Sequence, residues 1–271
     1  MAAREYNALD LPLEILMNKK CSSVALVFLL ITLTLSACNL PKRQAVSTTT
    51  SSQPTDAILQ STPTPLCTNQ YFPDHIGDMW EYSGTNSILG AYIRTDTITN
   101  SEPESFTEET TLANVTGSLS YDCSSAGLTS QDPVQQYAGA LLSSPDVPFS
   151  VKLTSNTGTS LPAKIIPGDT WQQVADGQVN SQQLNVNGRF EFDYTAVGYE
   201  NISVPAGSYN ALRVDATIRI EVTGLHILIG TYTTTTWWAA EVGLVKGEGT
   251  SHVTGIDFTD SMQLTSFTTG Q

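Results

Sequence analysis

The chain has no H-E-x-x-H, no G-x-S-x-G, no Ser-x-x-Lys, no glycine-rich phosphate loop and no calcium-loop signature. The chemistries those motifs announce therefore have no foothold that can be read from sequence. Histidine is scarce, and His75, His226 and His252 stand apart. His252 with Asp257 and Asp260 is the nearest thing to a metal set, but it lacks ligand spacing and reads better as an acid-bearing surface turn. The paired carboxylates Glu108 and Glu109 are strand neighbours, face opposite ways, and cannot share acid–base work. No residue stands out as catalytic, and the expectation is a non-enzyme with no cofactor and no metal. Basic residues are also few. Beyond Cys38 there are 9 Lys and Arg against 23 Asp and Glu, so that part carries the whole net charge of −14. Nucleic acid and anionic headgroups require a basic patch, which excludes both as partners of such a surface. Solubility outside the cell explains the acidity more simply than a specific cationic ligand.

A long apolar run is missing too. Val24 to Ala37 contains about 14 residues where a spanning helix takes about 20. It follows Lys19 and Lys20 and ends in Leu35-Ser36-Ala37-Cys38, the charge, apolar core and small-residue end of an export signal. Leu-Ser-Ala-Cys resembles the lipobox of bacterial lipoproteins. The resemblance implies cleavage before Cys38, a diacylglyceryl group on its thiol and an acyl chain such as palmitate on the new amino group. Two or more chains suffice for stable anchoring. Residues 1–16 carry Glu5, Asp10 and Glu14 where a basic front is wanted, so Met17 is the better start. Asn39 is not the aspartate that holds some lipoproteins at the inner membrane.

Signal peptide 1–37 is expected to give way to a lipidated tether, 38–66. From Pro41 to Pro65 it is mostly Ser, Thr, Gln, Pro and Ala, too poor in large apolar residues to offset ordering entropy. The remainder, 67–271, suits one domain with a substantial core. Four cysteines divide cleanly: Cys21 leaves with the signal, Cys38 takes lipid, and Cys67 and Cys123 are left as a pair for an oxidising compartment. A disulfide between them is expected. A metal site or reactive thiol is the alternative, with no C-x-x-C spacing to favour it.

Period-two alternation dominates the domain. Leu212, Val214, Ala216, Ile218, Ile220 and Val222 point one way, and Arg213, Asp215, Thr217, Arg219 and Glu221 the other. At about 3.3 Å per residue this strand reaches roughly 35 Å, long for a flat sheet and natural for a curling one. Phe190 to Ala196 is a second alternating run, preceded by Asn187-Gly188, a pair that favours a two-residue hairpin. Ile227 to Trp238 should pair antiparallel with the long strand. Leu244 to Val253 and Ile256 to Phe267 follow, and earlier runs bring the number to about ten or eleven. Asp260 interrupts an apolar face, as inward charges that protect a sheet edge do. Asp132, Pro133, Val134, Tyr137, Ala138 and Leu141 predict one short helix, a connector or a lid. The fold class is all-β with room for one short helix: a strongly curved antiparallel sheet, an unclosed half-barrel.

Gly77-Asp78-Met79-Trp80 recurs as Gly168-Asp169-Thr170-Trp171, explained by turn chemistry and a core ring and compatible with two β-rich halves. Val204 to Val214 with Trp237 to Lys246, together with Phe72-Pro73 through Gly77, Trp80 and Tyr82, resembles uncharacterised bacterial lipoproteins. They include TapB-like ones, akin in fold to LolA, LolB and LppX. Over roughly residues 70 to 250 this likeness implies a curved half-barrel that in better-known relatives holds lipid or acyl chains, although only one short helix candidate is present here. Of Trp237 and Trp238, one ring should be core. The other is covered by a neighbour or lines a ligand groove, for which Tyr137 is a further candidate. The function expected is a lipid-anchored protein at the outer face of a bacterial membrane, binding lipid or an acyl chain on its concave sheet. A structural or protein-interaction module with a filled core is the alternative.

Overall fold

The computed structural model describes residues 66–270 apart from 113, 135–148, 182–184, 226 and 254–255. The signal, Cys38, Tyr137 and most of the expected helix lie outside the described residues. Of the residues that predict that helix, Asp132, Pro133 and Val134 are described, and only Pro133 and Val134 are helical.

Thirteen strands form one sheet: β1 Met79–Asn86, β2 Gly90–Glu102, β3 Ser105–Leu112, β4 Val115–Ser124, β5 Gly127–Ser130, β6 Phe149–Gly158, β7 Leu161–Pro162, β8 Thr170–Ser181, β9 Asn185–Val204, β10 Gly207–Val222, β11 Ile227–Ala239, β12 Gly243–Val253 and β13 Ile256–Thr268. Their spatial order is β6-β8-β9-β10-β11-β12-β13-β1-β2-β3-β4-β5-β7, and every pairing is antiparallel. The sheet is all-β, strongly curved and not closed into a barrel. Its curl follows from the stagger of successive hairpins. Leu112 ends β3 opposite Arg94, four residues past Gly90 where β2 begins, and Asn86 ends β1 opposite Asp260, four past Ile256 where β13 begins. Such stagger tilts strands against the axis and bends the sheet round it.

The two edge strands β6 and β7 are separated by only two residues, so the edges meet at one end. Polar side chains tie that seam. Gln173 of β8 is fully buried, and its Nε2 donates to the Ser130 carbonyl and to Asn156 Oδ1, both at 2.9 Å. Its Oε1 accepts from Ser160 Oγ at 2.5 Å, while Asn156 Nδ2 donates to the same Ser130 carbonyl at 2.8 Å. Farther along, among the described residues, β4 and β6 pair with no further strand on their outer sides. The chain enters at the seam end, where Leu66 N donates to the Pro103 carbonyl and Cys67 is joined to Cys123 by a disulfide.

The repeated Gly-Asp-x-Trp builds the same turn twice. Gly77 and Gly168, at φ 89° and 95° where only glycine is comfortable, donate to the carbonyls of Ile98 and Ala196. Asp78 and Asp169 accept from the backbone N–H groups of His75 and Ile166 at 3.0 and 2.9 Å. Each motif then launches a strand, β1 or β8, beside its partner, β2 or β9.

Two expectations are corrected. Asn187-Gly188 is no turn: Gly188 lies within β9, opposite Gly177 on one side and Val222 on the other. Neighbouring strands there supply more hydrogen bonds than a local hairpin would. Asp260 does not guard an edge, because β13 runs between β12 and β1.

Candidate functional site

The concave side has two regions. Under β8 to β10 it is packed by Phe190, Phe192, Tyr194, Leu212, Val214 and Ile218, all buried. The inward set of β10 is the one its alternation predicts, with its opposite set on the convex face in ion pairs of Arg213 with Glu200 and Asp215, and of Arg219 with Glu191 and Asp193.

Under β1 to β4 and β11 to β13 the concave side is hollow. The cavity there measures about 190 Å³ and is lined by Tyr82, Tyr92, Tyr121, Trp238, Phe258 and Met262, among others. The space is left because this arc carries small residues opposite its rings. The Tyr92 ring lies over Gly84, where any Cβ would collide with it, and Thr234, Thr236 and Gly247 replace larger side chains on the facing strands.

A polar cluster forms one wall. Arg94 Nε donates to Asp96 Oδ1 at 2.8 Å, with its guanidinium carbon 5.9 Å from the Tyr82 ring centre. The Arg94 side chain is 18% exposed and that of Asp96 only 3%. Glu108 is buried beside them and accepts from the Tyr121 hydroxyl at 3.1 Å. Burial, and then the Asp96 charge, push the Glu108 carboxyl up to about 8 despite Arg94 and Tyr121 pulling the other way. Glu108 is thereby held toward its protonated form, beside an Asp96 carboxyl that Arg94 pairs. Burial opposes the charge on Arg94, but Asp96 outweighs it and keeps the guanidinium firmly protonated. On the opposite wall Asp260 accepts from the Tyr92 hydroxyl at 3.0 Å and from Asn86 Nδ2 at 3.1 Å.

Trp238 lines this cavity, and its Nε1 donates to Thr236 Oγ1 at 2.9 Å. Trp237 faces the other way. Its ring is buried on the convex face beneath the Lys246 ammonium, 4.5 Å away, and its Nε1 donates to Glu200 Oε2 at 2.8 Å. Trp237 is therefore placed away from the hollow, and Tyr137 falls outside the described residues. Cys67 and Cys123 are joined, with Cα atoms 4.9 Å apart. His252 meets Asp257 at 3.3 Å on the outer face, whereas Asp260 turns inward, so the three never converge. Among the described residues no group of three or more His, Cys, Asp or Glu is placed to hold a metal.

Sequence reasoning missed Arg94 and Asp96, and weighed Glu108 only against its strand neighbour Glu109. The available signal was a pair of opposite charges two residues apart on β2, Arg94 and Asp96, and one carboxyl, Glu108, on the strand due to pair with it. Alternation shows that these share a face, and only the pairing shows that the face is inward.

The DUF3108-like family matches residues 151–252, the span from β6 to β12. Among curated proteins none matches the chain. A protein of YmcC-like fold from Bacteroides fragilis, provisionally named an exported protein, is 15% identical. It superposes with a TM-score of 0.50 over 74% of this chain and 100% of its own. A second, from Parabacteroides distasonis and provisionally named a lipoprotein, is 14% identical with a TM-score of 0.49, over 74% and 99% of the two chains. What the first of these likenesses establishes is a shared curved-sheet fold.

Proposed function

We propose that this is a non-enzymatic, lipid-anchored protein of the bacterial cell envelope that holds an apolar ligand, a lipid or single acyl chain, in the hollow of its sheet. The observation that carries the reading is an aromatic-lined space on the concave side whose buried polar groups are paired with one another, Arg94 with Asp96, Glu108 with Tyr121, and Asp260 with Tyr92 and Asn86. An apolar chain can enter there without taking a hydrogen-bond partner from any of them. The size limits the occupant. Drug-sized ligands take about 300–1,000 Å³, while an apolar cavity of about 150 Å³ already holds a benzene. A space of about 190 Å³ suits the end of one acyl chain. The Leu-Ser-Ala-Cys38 sequence favours export and anchoring, and the name of the first structural neighbour, an exported protein, agrees with export.

Uptake of a fluorescent fatty acid, followed by energy transfer from Trp238, tests the reading. Thr110→Phe places a ring in the cavity and should lower uptake at least tenfold while the strand circular dichroism stays unchanged. Unaltered uptake in that variant, or none in the wild type, would sink it.

A protein-interaction module of the cell surface is the second reading. It is favoured by the filled half of the concave face, packed by Phe190, Phe192 and Leu212.

A further inference from the structure

We infer that the end of the sheet opposite the seam docks on a lipid bilayer surface, an interaction separate from the ligand reading above. Antiparallel order puts the turns β1–β2, β3–β4 and β10–β11 at that end, on neighbouring arcs of one curved sheet. Each turn exposes aliphatic side chains. Ile88 is 52% exposed, Val115 45%, Leu225 68%, Ile227 51% and Leu228 56%. Scattered apolar residues on a surface need no explanation, but aliphatic residues gathered on successive tips do.

Charge decides what they face. The stretches 86–93, 110–121 and 222–240 contain no Asp, Glu, Lys or Arg, in a chain of 26 acidic and 12 basic residues. The seam end is the opposite, with Glu102, Glu104 and Glu241 exposed on its turns. A molecule of net charge −14 is repelled by anionic lipid wherever its acids lead, so these three tips, with Asp257 beside the neighbouring β12–β13 turn paired to His252, approach a headgroup layer more closely than the acid-bearing seam end. Aliphatic tips flanked by Thr, Ser, Asn and Gly bury apolar area there without dehydrating a charge. A protein partner would more usually meet an arginine-bearing patch within a polar rim, and these stretches hold no arginine.

The test uses the full chain reconstituted into phosphatidylcholine vesicles whose acyl chains carry bromine. An environment-sensitive fluorophore is built in as a non-canonical residue at position 228 and, in a separate sample, at position 104 on the seam-end turn. Quenching at 228 should exceed that at 104 several-fold, and Ile88→Asn with Leu225→Asn and Ile227→Asn should abolish the difference. Equal quenching at both positions overturns the inference. So does shielding of position 228 that rises with protein concentration and not with lipid, which marks a second copy or another protein as the occupant. The two labelled wild-type samples decide the matter even if the triple variant does not fold.

Discussion

Glu108 makes the stability of this protein fall as pH rises. Its carboxyl sits near 8 in the folded chain and near 4.5 when exposed, so below pH 4.5 both states are protonated and folding is indifferent to it. Between those values the folded state binds more protons, and stability is lost as pH climbs through 8. Glu108→Gln keeps the shape without the titration. Chemical denaturation should find it as stable as the wild type at pH 4 and more stable at pH 9, by an amount on the order of a few kcal/mol. Arg94→Met acts the other way. It strands Asp96 without its partner, and urea unfolding at pH 7 should register a loss of about 3–5 kcal/mol. Thr110 gives the mildest test. Its hydroxyl is buried with no hydrogen-bond partner, so Thr110→Val should raise stability by about 1 kcal/mol in the same assay. None of these three effects follows from the residue type alone. Glu108 and Glu109 are indistinguishable in sequence, and only the pairing of β3 with β2 and β4 buries one and exposes the other.

At the scale of elements, long alternating strands were legible and short ones were not. Leu212 to Val222 and Ile227 to Trp238 have enough residues for the period to declare itself, and they pair as expected. β5 and β7 have four and two residues, and nothing in so short a span separates a strand from a turn. Asn187-Gly188 misled for a related reason. A local turn preference is worth little against a residue already bonded on both sides, as Gly188 is between β8 and β10. The seam is likewise made by residues far apart in the chain, Gln173 reaching Ser130 across 43 positions. Gln173→Ala removes a hydrogen bond each from the Ser130 carbonyl on β5, Asn156 Oδ1 on β6 and Ser160 Oγ in the link to β7, and should cost about 2–3 kcal/mol. Hydrogen exchange would locate the damage, with amides of β5 and β6 losing protection before those of β9 and β10. Uniform loss over the whole sheet would show that the seam is no separate unit.

For the molecule as a whole, the curve of the sheet was foreshadowed by strand length, and the hollow was not. Volume depends on which side chains meet across the curl, and the rings of Tyr92 and Trp238 face small partners only once the register is fixed. The Cys67–Cys123 bond closes a loop of 56 residues at the end where the chain enters. Its reduction should lower stability by roughly 4 kcal/mol in the chain-entropy model, read as a shift in denaturation midpoint with and without reductant. The most direct measurement on the whole protein is native mass spectrometry of the mature form after mild detergent removal. The ligand reading predicts a species heavier than the anchored chain by the mass of a lipid or fatty acid, lost when Thr110→Phe fills the cavity. A protein that is uniformly empty as isolated, and stays empty when offered fatty acid, would contradict it.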